Sequence, residues 1–132
     1  MIPAPKKETT IEIAKELKDQ IATQTETESQ VIVHITYRAM EVNERLRVWS
    51  NTFLKCKESR IKCKMLFSEN IAVYPQWTNV ALGSTLSFTL IFENLPKDCI
   101  SFDLIEDIPE SGGFLFKGIE RNNSNVYNLI LL

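Results

Sequence analysis

The sequence predicts an all-β chain: about seven or eight strands in two antiparallel sheets packed as a sandwich, with one helix ahead of them. Three observations lead there. Residues 84–106, STLSFTLIFENLPKDCISFDLIE, alternate in polarity, with Leu86, Phe88, Leu90 and Phe92 on one side of an extended chain and Ser87, Thr89 and Glu93 on the other. That is the period-2 signature of a half-buried strand. Runs of this kind recur along the chain, separated by turn-forming residues at close, regular intervals, as in all-β sandwiches. Strand-like and helix-like segments do not alternate, which disfavours a parallel α/β sheet.

Residues 1–30 read as a unit apart. The first eight carry two prolines and two lysines and read as a loose arm. Residues 9–22 read as a helix. Thr9 and Glu12 have capping-box spacing, and Ile13, Ala14, Leu17 and Ile21 make an apolar stripe among good helix formers. A strand at 10–13 is the competing reading. The polar run TQTETESQ, 23–30, reads as a connector to the sandwich, 31–132.

The strands follow in order. Over 30–38, Val31, Val33, Ile35 and Tyr37 point inward and His34, Thr36 and Arg38 outward. The next strand, 45–55, has two apolar faces, Leu46 with Val48 and Trp49 with Phe53. That pattern calls for a face switch at a bulge near Ser50 and Asn51, or for burial on both sides. Over 60–67, Ile61, Cys63, Met65 and Phe67 oppose Arg60, Lys62 and Lys64. Residues 71–74 read as a short strand and 75–79 as a loop. The central pair, 84–93 and 100–106, reads as a hairpin closed through Asn94-Leu95-Pro96-Lys97-Asp98, where Pro96 has no N–H to give a ladder. Turn chemistry at 107–113 and 122–125 brackets a strand at 114–119, and an apolar strand closes the chain at 126–132.

Composition narrows the function classes. A chain of 132 residues with 44% hydrophobic side chains suits one globular domain whose core needs no metal or disulfide staple. A net charge of −2 sets up no global field favouring nucleic acid or a membrane surface. No apolar run reaches the roughly 20 residues of a membrane span, and no leader segment is visible, so the expected location is cytoplasmic. The three cysteines, an odd number, read as reduced thiols; a bridge between Cys56 and Cys63 across a hairpin is the competing reading. Cofactors are not expected: no Cys-x-x-Cys, Walker loop, Gly-x-Ser-x-Gly or His-Glu-x-x-His occurs.

From Val48 onward the chain resembles a group of small uncharacterised bacterial β-sandwich proteins. The resemblance is carried by Trp49-Ser50-Asn51-Thr52-Phe53-Leu54, Asn70-Ile71 with Tyr74-Pro75, residues 88–97 (FTLIFENLPK), Phe102-Asp103-Leu104-Ile105-Glu106 and Gly118-Ile119. It spans roughly residues 48–119 and leaves the N-terminal helix outside. It implies an immunoglobulin-like antiparallel β-sandwich of about 7–8 strands behind one N-terminal α-helix. It implies no activity and carries no functional residues over.

The candidate sites are surfaces. His34, the single histidine, reads as an exposed strand residue, because a catalytic base needs an orienting partner and a nucleophile within reach. Asp103, Glu106, Asp107 and Glu110 form an acidic cluster whose spacing fits no calcium loop; a solvated rim is the expectation. Residues 45–64 are strongly basic, with Arg60, Lys62 and Lys64 sharing one strand face. That face reads as a solubilising exterior or as a polyanion-binding surface. Basic 45–64 and acidic 103–110 are complementary, a basis for head-to-tail self-association. Tyr74 and Trp77 flank Pro75 in a loop. Buried, they plug one end of the sandwich, which is the expectation; exposed, they make a hot spot for a protein or a sugar. The reading that results is a non-enzymatic protein-interaction or structural module with a protein partner, including a second copy of itself. Polyanion or nucleic-acid binding is the runner-up and an enzyme comes third.

Overall fold

The computed structural model describes residues 30–110 and 112–132. The helix expected over 9–22 and the connector up to residue 29 lie outside the described residues. Among the described residues nine strands follow one another: β1 (Val31–Arg38), β2 (Glu44–Leu46), β3 (Thr52–Cys56), β4 (Lys62–Glu69), β5 (Thr78–Val80), β6 (Thr85–Phe92), β7 (Ser101–Glu106), β8 (Leu115–Glu120) and β9 (Val126–Leu131). Seven form one mixed sheet in the order β8-β7-β3-β4-β6-β1-β9, and β2 with β5 forms a two-stranded ribbon. The described residues are all-β.

The large sheet curls, and β4 is where it turns. Lys62, Cys63 and Lys64 pair with β3, whereas Met65 and the residues from Phe67 to Glu69 pair with β6, with a register slip between Met65 and Phe67. One extra residue in a strand bends it and raises its twist, so β4 serves both halves of the sheet. The halves then face each other. The ring of Phe102 in β7 meets that of Tyr127 in β9 edge-on at 5.1 Å, and Phe88 in β6 lies 6.0 Å from Phe114, just ahead of β8. Val31, Val33, Ile35, Leu54, Leu90, Phe92, Phe102 and Leu104 are all fully buried in this one core. Each such side chain contributes about 1.5–3 kcal/mol relative to the same side chain in water.

The alternation expected for β1, β6 and β7 is present, but several partners differ. β6 and β7 do not form a hairpin. Both edges of β6 are occupied, by β1 and β4, while β7 lies between β3 and β8. Residues 93–100 therefore cross from one half to the other, burying Leu95 and Cys99 on the way. Alternation specifies which face a side chain takes, not which strand lies beside it. The sheet is not wholly antiparallel either, since β1 and β9 run parallel. The expected strand 45–55 breaks at a turn over Ser50 and Asn51, which sends β2 to β5 and β3 to the large sheet. Residues 71–74 contribute only a bridge, Val73 to Val48, and the expected loop at 75–79 runs into β5. Ile61 and Phe67 are exposed: Ile61 precedes β4, and the bulge puts Phe67 on the outer face. Ile100 is exposed as well, because Cys99 takes the inward place.

The cysteines also depart from three free thiols. The β3–β7 ladder sets Cys56 opposite Phe102, and the crossover returns Cys99 to the same spot. Cys56 and Cys99 are bonded, with Cα atoms 5.8 Å apart, and Cys63 is free and buried. Burial pushes the Cys63 thiol up, with Glu93 adding to the effect, so it is a poor nucleophile. Replacing Cys56 and Cys99 by Ser is expected to cost about 4 kcal/mol of loop-closure entropy for residues this far apart. Urea unfolding with and without reductant checks this, and a midpoint indifferent to reductant would count against the bond.

Candidate functional site: an arginine–aromatic rim

Arg45 lies in β2, and Arg47 and Trp49 continue the same extended run. Alternate side chains of extended chain share a side, so these three point together while Leu46 and Val48 turn to the core, Val48 completely. The turn carrying Tyr74 and Trp77 is held beside them by backbone. The Val48 N–H donates to Ala72 O and the Tyr74 N–H to Val48 O, both at 2.9 Å.

The result is a cluster of rings and guanidinium groups. Trp49 and Tyr74 stack with centroids 3.7 Å apart. The Arg47 guanidinium lies 3.7 Å from the Trp77 ring centre and 4.6 Å from that of Tyr74, and Arg45 lies 4.4 Å from Trp77. Such cation–π contacts contribute about 0.5–1 kcal/mol each at exposed sites and more where water is excluded. Arg47 also donates to Pro75 O at 3.2 Å and pairs with Glu110 at 3.8 Å. One basic residue of 45–64 and one acidic residue of 103–110 thus satisfy each other within a single chain.

Glu106 anchors the rim from below. It ends β7 with its side chain inward, 7% exposed. Its two carboxylate oxygens accept the backbone N–H groups of Trp49, at 2.9 Å, and Phe114, at 3.0 Å. The Glu106 N–H in turn donates to Phe114 O at 2.9 Å. Buried Thr52 supports the same corner, donating its hydroxyl to Trp49 O at 2.7 Å. Gly113 is required at the crossing, since a Cβ there would stand 2.5 Å from Glu106 O. Burial pushes the Glu106 carboxyl above its ordinary value, and Glu110 adds to this. The two N–H donors and Arg47 pull the other way without cancelling it.

Above Glu106 the side chains of Arg45, Arg47, Trp49, Trp77 and Phe114 line a cleft of about 140 Å³. Small-molecule sites run to roughly 300–1,000 Å³, so this cleft is small by that measure. Arg45 also borders a wider depression of about 710 Å³ over the β2–β5 ribbon.

Tyr74 and Trp77 are therefore not a buried plug: they are 46% and 42% exposed. Their rings pack on arginine and on Trp49 instead of on the aliphatic core. Lys62 and Lys64 are exposed on the outer face of β4 on either side of buried Cys63, with exposed Arg60 just ahead of the strand. Lys62 sits 4.6 Å from the Phe53 ring centre. The structure does not bring this trio to the rim. The acidic cluster is split: Glu106 and Glu110 border the same cleft, one from inside and one at the rim, while Asp103 accepts the Gly118 N–H at 2.8 Å. His34 is exposed on β1 and meets Thr89 Oγ1 at 2.8 Å. Cys56, Glu58 and Cys99 place one ligand atom each within 4.8 Å of one another, but sulfurs bonded together have no thiolate to offer a metal. Among the described residues no helix is long and apolar enough to cross a membrane.

The sequence reading missed Arg45, Arg47 and Trp49 as partners of Tyr74 and Trp77. Their spacing of two was a usable signal; the crossing of the 74–77 turn was not. No protein-family model, curated protein or solved structure matches the chain.

Glu106→Gln is expected to lower stability by about 1–3 kcal/mol, because its amide NH2 would face one of the two N–H donors. A carboxyl whose folded pKa is raised binds its proton more tightly in the folded chain. Its contribution is present below the ordinary value and is lost as pH rises through the folded value. The stability difference between parent and variant should therefore shrink with rising pH across that acid window, in denaturant titrations at several pH values.

Proposed function

We propose that the chain is a non-enzymatic interaction module that meets a protein partner through Arg45, Arg47, Trp49, Tyr74 and Trp77. The observation that carries this reading is the half-exposure of Tyr74 and Trp77 in a cluster already ordered by stacking. Tyrosine, tryptophan and arginine dominate the energetics of protein interfaces. Side chains held in place before contact lose little freedom on binding. The curled sheet closed on one core, together with the resemblance over 48–119, supports an immunoglobulin-like sandwich of bacterial type as the scaffold. The Cys56–Cys99 bond favours an oxidising compartment over the cytoplasm.

A second reading, polyanion binding, draws on β3 and β4. Lys55 stands directly opposite Lys62, and Lys64 and Arg60 are exposed nearby. Like charges across a ladder destabilise it, and a bound anion would relieve that. Asp103 opposite Lys55 on the other side, and the net charge of −2, weigh against it.

Arg45→Ala with Trp77→Ala is expected to weaken capture of the native partner by about 30-fold or more, the scale of a hot spot. Circular dichroism should be unchanged, because both side chains reach into solvent. Lys62→Glu with Lys64→Glu should leave that capture intact. Heparin retention lost in the lysine variant, with capture indifferent to the rim variant, would transfer the function to the basic face.

A further inference from the structure

Among the described residues the large sheet ends in two edges, β8 and β9, and they are built differently. An open edge offers unpaired N–H and C=O groups to any passing strand, and edges are ordinarily blunted by charge, bulges or irregular backbone. β8 has all three defences. It carries Lys117 and Glu120, its register against β7 slips, and Gly118 sits at φ +68 with its N–H turned to Asp103. β9 has none. Its sequence is VYNLIL, without charge, proline or glycine, and it runs in register with β1 along its whole length.

The ladder shows which groups are on offer. The Ile32 N–H donates to Asn125 O at 2.9 Å. In a parallel pair alternate residues of each strand bond to the neighbour. Tyr127, Leu129 and Leu131 therefore aim their N–H and C=O groups at β1, and Asn128 and Ile130 aim theirs away from it. No described strand lies on that side. Tyr127 is buried, while Leu129 and Leu131 pack on the core yet stay partly exposed at its margin; Ile130 is 70% exposed on the outer face.

We infer that β9 pairs with β9 of a second copy of this chain, antiparallel about a two-fold axis at Leu129. This deepens the interaction-module reading and rests on it. In that register Asn128 of each copy lies opposite Ile130 of the other, so the outward N–H and C=O groups bond reciprocally. Leu129 meets its own counterpart and Tyr127 meets Leu131, covering the leucines left partly exposed. A two-fold axis sets each residue against its own symmetry mate or a near neighbour, so a charged strand would repel itself; β9 has no charge to do so. Strand addition at an open edge joins two sheets through main-chain bonds without any new pocket.

Sedimentation of the full chain over a concentration series tests this. The parent is expected to show a monomer–dimer equilibrium. Asn128→Pro should abolish the dimer without lowering the melting temperature measured at concentrations where the parent is monomeric, because the lost N–H faces away from β1 and proline is tolerated there. Ile130→Glu, which keeps the backbone intact, should weaken the dimer by about tenfold or more and decides the matter if the proline variant fails to fold. Arg45→Ala with Trp77→Ala should leave the dimer unchanged. A parent that stays monomeric, or a dimer indifferent to the β9 variants, overturns the inference. A dimer lost only in the rim variant overturns it too, while leaving the interaction reading standing.

Discussion

A sheet with one apolar face has two ways to keep that face from water: acquire a second layer, or fold over onto itself. This chain folds over, and the fold is possible because β4 changes partners halfway along its length. Its first residues belong to β3 and its last to β6, with the slip between Met65 and Phe67 as the corner. Without that corner Phe102 would not reach Tyr127, nor Phe88 Phe114. The crossover through Leu95 and Cys99 ties the halves a second time, and the Cys56–Cys99 bond lies where it lands on β3.

The rim depends on that closure through Glu106. Taking a carboxylate out of water is costly unless donors replace the lost hydration. The two donors here are backbone N–H groups from segments far apart in sequence, Trp49 and Phe114. The acid converts a burial cost into a brace, and the brace positions the strand from which Arg47 and Trp49 project. Arg47 then draws Trp77, Pro75 and Glu110 together. Both carboxylate oxygens already accept N–H groups.

Much of the fold was legible in the residues. The alternation of Val31, Val33 and Ile35, of Phe88, Leu90 and Phe92, and of Phe102 and Leu104 marks the core faces, because period-2 polarity is a direct record of which side meets water. What was not legible is pairing. Nothing local distinguishes a hairpin at Asn94–Asp98 from a crossover, because both need the same turn chemistry. The bulge that exposes Phe67 and the return of Cys99 to Cys56 are likewise set by neighbours distant in sequence. The site was half legible. Tyr74 and Trp77 stood out as unusual loop aromatics, but a ring packed on a guanidinium group and a ring packed on leucine look alike in sequence. Of the basic trio, Lys62 and Lys64 lie exposed on β4 while Arg60 precedes the strand, and the trio lies apart from the rim.

Native-state hydrogen exchange tests the central claim, that one closed core extends through Glu106 to the rim. The amides of Leu90 and Leu104, from the two halves, should open with the same free energy, and those of Trp49 and Phe114 should open with them. Two separate opening energies for the halves, or Trp49 and Phe114 exchanging at the rate of exposed loops, would contradict it.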